Sequence, residues 1–233
     1  MFNAPKVTPG LEKLYQDWRP KGLLSLYAWG SAVTVDYNPS KSDLDIMGII
    51  SDEANEKDFA ILDEIVRRYT PEANDPGLRV LYLSELRTGK PKSWMGGIIH
   101  PRLLLLDFPA WTHVAGQKFV RSDFPLRDLT PQEAVAFKLK EIYDRHYRAV
   151  GEKQEQAHYY YCKALYRVCY YLDQATNKYP FSYTALHASA NPRIKPIVEP
   201  LEKLKHNHWD QALFDKAYPL FNQFITELHG EYS

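Results

Sequence analysis

Apolar and polar positions change their period along this chain, and the changes mark out its elements. Leu11 to Trp18 carries apolar residues at helical spacing, and Pro20 and Gly22 close it. Leu23 to Trp29 is a compact apolar run bounded by glycine on both sides, which predicts a buried strand. Leu44 to Ile50 is a second such run. Between them, Gly30-Ser31 turns the chain, Val33 to Asp36 predicts a brief helix or loop, and Tyr37-Asn38-Pro39-Ser40 has turn chemistry. Ser51-Asp52-Glu53 predicts the cap of a helix reaching about Tyr69, with Phe59, Leu62, Ile65 and Val66 as its stripe. A third strand is predicted over Leu78 to Ser84. The leucine run within Arg102 to Phe108 fits a strand or a buried helix, and its length leans to strand. Val114 to Val120 reads as a short extended segment.

Beyond this point the pattern becomes helical throughout. Thr130 stands at an N-cap, Pro131 at the first helical position and Glu133 three residues after the cap, a capping-box start. Helices are predicted over Pro131 to Val150, Glu155 to Thr176, Tyr183 to Ala190, Pro192 to Lys205 and Trp209 to Leu228. A mixed α/β part followed by a helical part, joined near Arg121 to Asp128, predicts an α+β protein. Its two domains would span 1–125 and 126–233.

Composition narrows the function classes. The 233 residues are 45% hydrophobic and 25% charged, with a formal net charge of zero. Bulk binding to nucleic acid or to an anionic membrane surface is therefore not favoured, although a local basic patch is compatible with that balance. No apolar stretch has the length of a membrane span, and Met-Phe-Asn-Ala-Pro-Lys lacks the apolar core of a signal peptide, so a cytoplasmic protein is expected. Cys162 and Cys169 fall on one face of a predicted helix, about 10 Å apart at roughly 1.5 Å per residue. They are too distant to pair within it, and buried reduced thiols are expected. Tyr159-Tyr160-Tyr161, with Tyr166, Tyr170 and Tyr171, reads as helical core with hydroxyls at its rim.

The chemistry concentrates between Gly30 and Asp45. Asp43 and Asp45 are one residue apart at the entry of a strand, so alternation turns both carboxylates to one face. Such a pair suits a hard divalent cation, and magnesium is commonly held by one or two carboxylates plus substrate phosphates. The Gly30-Ser31 turn offers backbone N–H groups and a hydroxyl to phosphate oxygens, with glycine allowing close approach. Asp-x-Asp alone is most often a solvated pair. It is the whole order that carries meaning: apolar run, Gly-Ser, a linker, Ser42-Asp43-Leu44-Asp45, apolar run.

In that order the residues resemble the signature of the polymerase-β-like nucleotidyltransferase superfamily. The resemblance implies a mixed sheet flanked by helices, two Mg2+ ions, and transfer of a nucleoside monophosphate from a nucleoside triphosphate, AMP from ATP being the expected case, with release of pyrophosphate. It implies Asp43 and Asp45 as metal ligands, and Gly30, Ser31 and Ser42 as contacts to the triphosphate. The leucine-rich Leu103 to Leu106, the extended segment after it, and the helical part with Lys163 to Arg167 and Thr176 to Lys178 resemble the layout of streptomycin- and spectinomycin-type aminoglycoside nucleotidyltransferases. That layout implies a small-molecule acceptor. In a two-domain reading the triphosphate is expected in the cleft between domains, with the second offering cations, and Lys163 and Lys178 are the expected phosphate contacts. A transfer RNA end or a protein hydroxyl as acceptor, and a non-catalytic nucleotide-binding module, are the competing readings.

The superfamily places a third carboxylate on the next strand, where register puts Arg79. Glu85, which shares the strand parity of Arg79, is the expected substitute and general base; Asp75, an acid from elsewhere in the chain, or no third acid at all are the alternatives.

Overall fold

The computed structural model describes residues 3–38, 42–59, 62–143, 155–173, 182–206 and 209–232. The chain is α+β: a mixed four-stranded sheet with flanking helices, then a helical region. It divides into two compact units, Met1–Asp128 and Leu129–Ser233.

In the first unit, α1 (Thr8–Trp18) leads into β1 (Leu23–Ala28) through Gly22, whose φ of 94° reverses the chain. After the Gly30 turn come β2 (Leu44–Ile50), α2 (Leu62–Tyr69) and β3 (Pro76–Tyr82). Next are the short helices α3 (Leu83–Thr88), α4 (Trp94–Ile98) and α5 (Pro101–Asp107), and then β4 (Thr112–Gly116). The sheet order is β3-β2-β1-β4, with β2 and β3 parallel and the other two pairs antiparallel. A parallel pair needs a crossover, and α2 supplies it.

Each face of the sheet has its own apolar cluster. Leu26, Ala28, Leu44, Ile46, Leu78 and Val80 point to the side covered by α1, through Leu11, Leu14 and Trp18, and by α2, through Val66. Tyr27, Met47, Ile49 and Leu81 point to the other side, where Leu86, Met95, Leu104, Leu105, Phe108 and Trp111 pack. With both faces covered, β2 is buried along its length except at Asp45.

Several boundaries differ from the sequence expectation, three of them around the sheet. The helix expected from Ser51 becomes a 3-10 turn, Glu56–Phe59, followed by α2. The leucine run is helical, because Pro101 starts a turn whose first free N–H, that of Arg102, is accepted by His100 Nδ1 at 3.3 Å. Leu103, Leu104 and Leu105 are then buried on successive sides of a helix wedged under the sheet. The third strand starts at Pro76 and ends at Tyr82, two residues before Ser84.

In the second unit, α6 (Pro131–Glu141) starts with the expected capping box: Thr130 Oγ1 accepts the Glu133 N–H at 3.2 Å and Glu133 accepts the Thr130 N–H at 2.9 Å. The expected extension of this helix to Val150 falls partly outside the described residues. It is followed by α7 (Glu155–Leu172), α8 (Tyr183–Ser189), α9 (Lys195–His206) and α10 (Gln211–Tyr232). On α7, Tyr161, Tyr166, Tyr170 and Tyr171 are buried whereas Tyr159 and Tyr160 are exposed, as a core face with a rim requires. Cys162 and Cys169 are free and buried. No described helix is long and apolar enough to cross a membrane.

Candidate active site

The site grows out of the end of β1. Ala28 pairs with Ile46 in the antiparallel register, and the next residue, Trp29, donates its N–H to the Asp45 carbonyl at 3.1 Å. Gly30 then turns with a φ of 62°, in the left-handed region that a side chain disfavours. A β-carbon at Gly30 would stand 2.6 Å from Asp45 Oδ2. The glycine therefore lets the backbone lie directly against the Asp45 carboxylate.

Gly30–Val33 forms one turn of 3-10 helix. Its far end is stitched by Thr34, whose N–H and hydroxyl both donate to the Ser31 carbonyl, at 2.9 and 3.2 Å. Ala32 and Val33 are buried beneath it. The connection to β2 is closed by Ser42, which gives its N–H to the Asn38 carbonyl at 2.7 Å and accepts the Asn38 N–H on its hydroxyl at 2.9 Å. In this state the Ser42 hydroxyl shapes the loop in front of Asp43.

Leu44 is fully buried, so strand alternation carries its neighbours Asp43 and Asp45 to the opposite side. Asp43 is exposed and Asp45 half-buried. Two carboxylates on one side of the strand, beside a turn with no side chain at its closest point, are hard-oxygen donors of the kind that suit magnesium when substrate phosphates complete the shell. Among the described residues no group of three or more His, Cys, Asp and Glu is arranged to hold a metal by itself.

The third acid is where sequence and structure part. Asp45 pairs with Gly77 and Met47 with Arg79, so β3 offers a glycine and an arginine on the side of Asp45. Glu85 lies beyond Tyr82, the partner of Ile50, and at about 3.3 Å per residue it is roughly 17 Å along the sheet from Asp45. It is also fully buried. Its Oε2 accepts the Tyr82 N–H at 2.8 Å, and its Oε1 accepts those of Lys92 and Ser93 at 2.6 and 2.9 Å. Gly96 closes over it, since a β-carbon there would fall 2.0 Å from Oε1. Glu85 is thus a buried staple between α3 and the start of α4, and its expected role as general base is corrected on this geometry. The parity argument was sound for a strand continuing to Ser84, but the chain turns into α3 at Leu83. Asp75 is engaged in an ion pair with Arg67 of α2. The Arg79 guanidinium lies 5.8 Å from the ring of the exposed Trp94.

In the second unit, Lys163 is exposed on α7 with its Nζ 5.0 Å from the centre of the Tyr159 ring. Lys178 lies outside the described residues. Trp29 carries no signal in the sequence beyond its place before Gly-Ser. Its ring centre is 6.0 Å from that of Trp111, and the buried indole N–H of each finds no acceptor among the described residues.

Compared with solved structures, the chain aligns over 97% of its length with 97% of spectinomycin adenyltransferase AAD(9) from Enterococcus faecialis, crystallised with ATP and spectinomycin. The TM-score is 0.56 at 12% sequence identity, a likeness of fold. No family model and no curated protein sequence matches the chain.

Proposed function

We propose that this chain is a metal-dependent nucleotidyltransferase that moves AMP from ATP to a hydroxyl of a small-molecule acceptor and releases pyrophosphate. The observation that carries the reading is the contact between the Gly30 backbone and the Asp45 carboxylate. It joins a phosphate-type turn to an acidic pair, in a fold like that of an adenyltransferase crystallised with ATP and spectinomycin.

In this reading residues 1–125 are the catalytic domain, and residues 126–233 contact nucleotide and acceptor, with Lys163 and Lys178 on the phosphates. Asp43 and Asp45 would hold two magnesium ions, which when bound neutralise charge on the triphosphate. Gly30 and Ser31 orient the phosphates from the turn, and Ser42 keeps the loop before Asp43 closed. The acceptor hydroxyl oxygen attacks the α-phosphorus and its proton passes to solvent water, while the bond to the β-phosphate oxygen breaks and pyrophosphate leaves with that electron pair. An aminoglycoside-like compound is the acceptor class that the structural neighbour suggests. The cytoplasm, where ATP is plentiful, is the compartment such chemistry uses.

The direct assay follows pyrophosphate release from labelled ATP and magnesium with a panel of aminoglycosides, aminocyclitols and transfer RNA. Acceptor-dependent release is expected to vanish with a chelator and in Asp43→Ala and Asp45→Ala. Release that survives both substitutions overturns the metal assignment. Mg·ATP binding without transfer to any acceptor returns the chain to a nucleotide-binding module.

A further inference from the structure

The turn that carries Gly30 and Ser31 is gripped from outside by the start of the chain. Asn3 donates its backbone N–H to the Ala32 carbonyl at 2.9 Å, and its side-chain Nδ2 to the Thr34 carbonyl at 2.6 Å. These bonds join segments about thirty residues apart and clasp the two carbonyls that flank Val33. The strap bearing Asn3 is itself anchored. Ala4 and Val7 are buried in the same apolar cluster as Ala32 and Val33, so strap and turn share one floor. Pro5 fixes the backbone just after Asn3 and begins a 3-10 turn that runs straight into α1.

The consequence is directional. The Ser31 and Ala32 carbonyls of the turn are held by Thr34 and Asn3, and the Thr34 carbonyl just beyond it is held by Asn3. The peptide N–H groups of a 3-10 turn point opposite to its carbonyls, which is the direction a phosphate needs. Free rotation of these peptides would be an entropy cost paid again at each binding event, and the strap removes it beforehand.

We infer that Asn3 is a positioning residue that pre-sets the Gly30–Val33 turn for the triphosphate; this rests on the nucleotidyl-transfer reading. Asn3→Ala removes the side-chain bond, whereas Asn3→Pro removes both by deleting the N–H. Ile49→Val, in the cluster on the other face of the sheet, serves as a control that lowers stability without touching the turn. Binding of Mg·ATP to the full chain without acceptor is expected to weaken roughly three- to tenfold in Asn3→Ala, as one net hydrogen bond allows, and further in Asn3→Pro. The rate at saturating ATP should stay near wild type, and Ile49→Val should bind normally.

Hydrogen exchange in the nucleotide-free protein gives a readout independent of function, with faster exchange expected at the amides of Thr34, Asp36 and Tyr37 in both Asn3 variants. Unchanged exchange in Asn3→Pro, or faster exchange with unchanged Mg·ATP affinity, overturns the inference. An equal loss of affinity in Ile49→Val does so too. If the wild type binds no Mg·ATP, the functional reading falls and the positioning role falls with it, while the exchange data still tell whether the strap grips the turn.

Discussion

At the scale of single residues, two positions test the proposed function from opposite sides. Gly30 is constrained twice, by a φ of 62° and by Asp45 Oδ2 at 2.6 Å from any added β-carbon. Alanine there meets a left-handed penalty of about 1–2 kcal/mol and must push the carboxylate aside. Gly30→Ala is expected to keep the fold and lower transfer by about a hundredfold, the scale associated with a misplaced group; steady-state kinetics and a melting curve check both parts. Glu85 makes the opposite prediction. Glu85→Gln puts an amide N–H2 against backbone N–H donors, leaving a buried clash worth about 1–3 kcal/mol. Denaturant unfolding should show that loss while kcat per folded molecule holds. A collapse of kcat with unchanged stability would reinstate Glu85 as the general base.

Elements carry the next level of the argument. The β2–α2–β3 crossover sets the parallel register that places Gly77 beside Asp45 and sends Glu85 to the far end of the sheet. No local sequence feature fixes that register, because it depends on how Val66 of α2 seats against Leu44, Ile46, Leu78 and Val80. Helix α6 is the contrasting case, since its start is written in three side chains. Thr130→Ala removes the acceptor for the Glu133 N–H and is expected to cost about 1 kcal/mol, read as a lower unfolding midpoint with no change in transfer rate.

For the molecule as a whole, the clearest expectation concerns its thiols. Burial pushes both Cys162 and Cys169 well above the usual thiol value of 9.0. The unfolded chain loses those protons near that value and the folded chain only at higher pH. The unfolded state therefore binds fewer protons there, and stability, complete below about pH 9, falls as pH rises past it. A disulfide reagent at pH 8 should find no fast thiol in the native protein and should modify both cysteines at the rate of unfolding. A rapid native phase would place a thiol at the surface. Likeness to a solved adenyltransferase over nearly the full length acts at this same scale, and at 12% identity it is a likeness of fold.

What the sequence determined by itself was whatever depends on neighbours along the chain. Strand alternation put Asp43 and Asp45 opposite Leu44, the Gly-Ser turn ended an apolar run, and the Thr130 box opened a helix; each involves a handful of consecutive residues. Tertiary structure decided what depends on partners far away. Leu103 to Leu106 became helical because several sides of the run could be buried at once. Glu85 became a staple because the backbone turned at Leu83 and brought Lys92 and Ser93 onto its carboxylate. Gly30 and Asp45, separated in sequence by the linker and β2 entry, came into contact only because β1 and β2 pair antiparallel with Ala28 opposite Ile46. The Gly-Ser turn and the aspartate pair of the candidate site were legible because each is local, and what β3 sets beside them was not, because sheet register is a property of packed elements and not of any one of them.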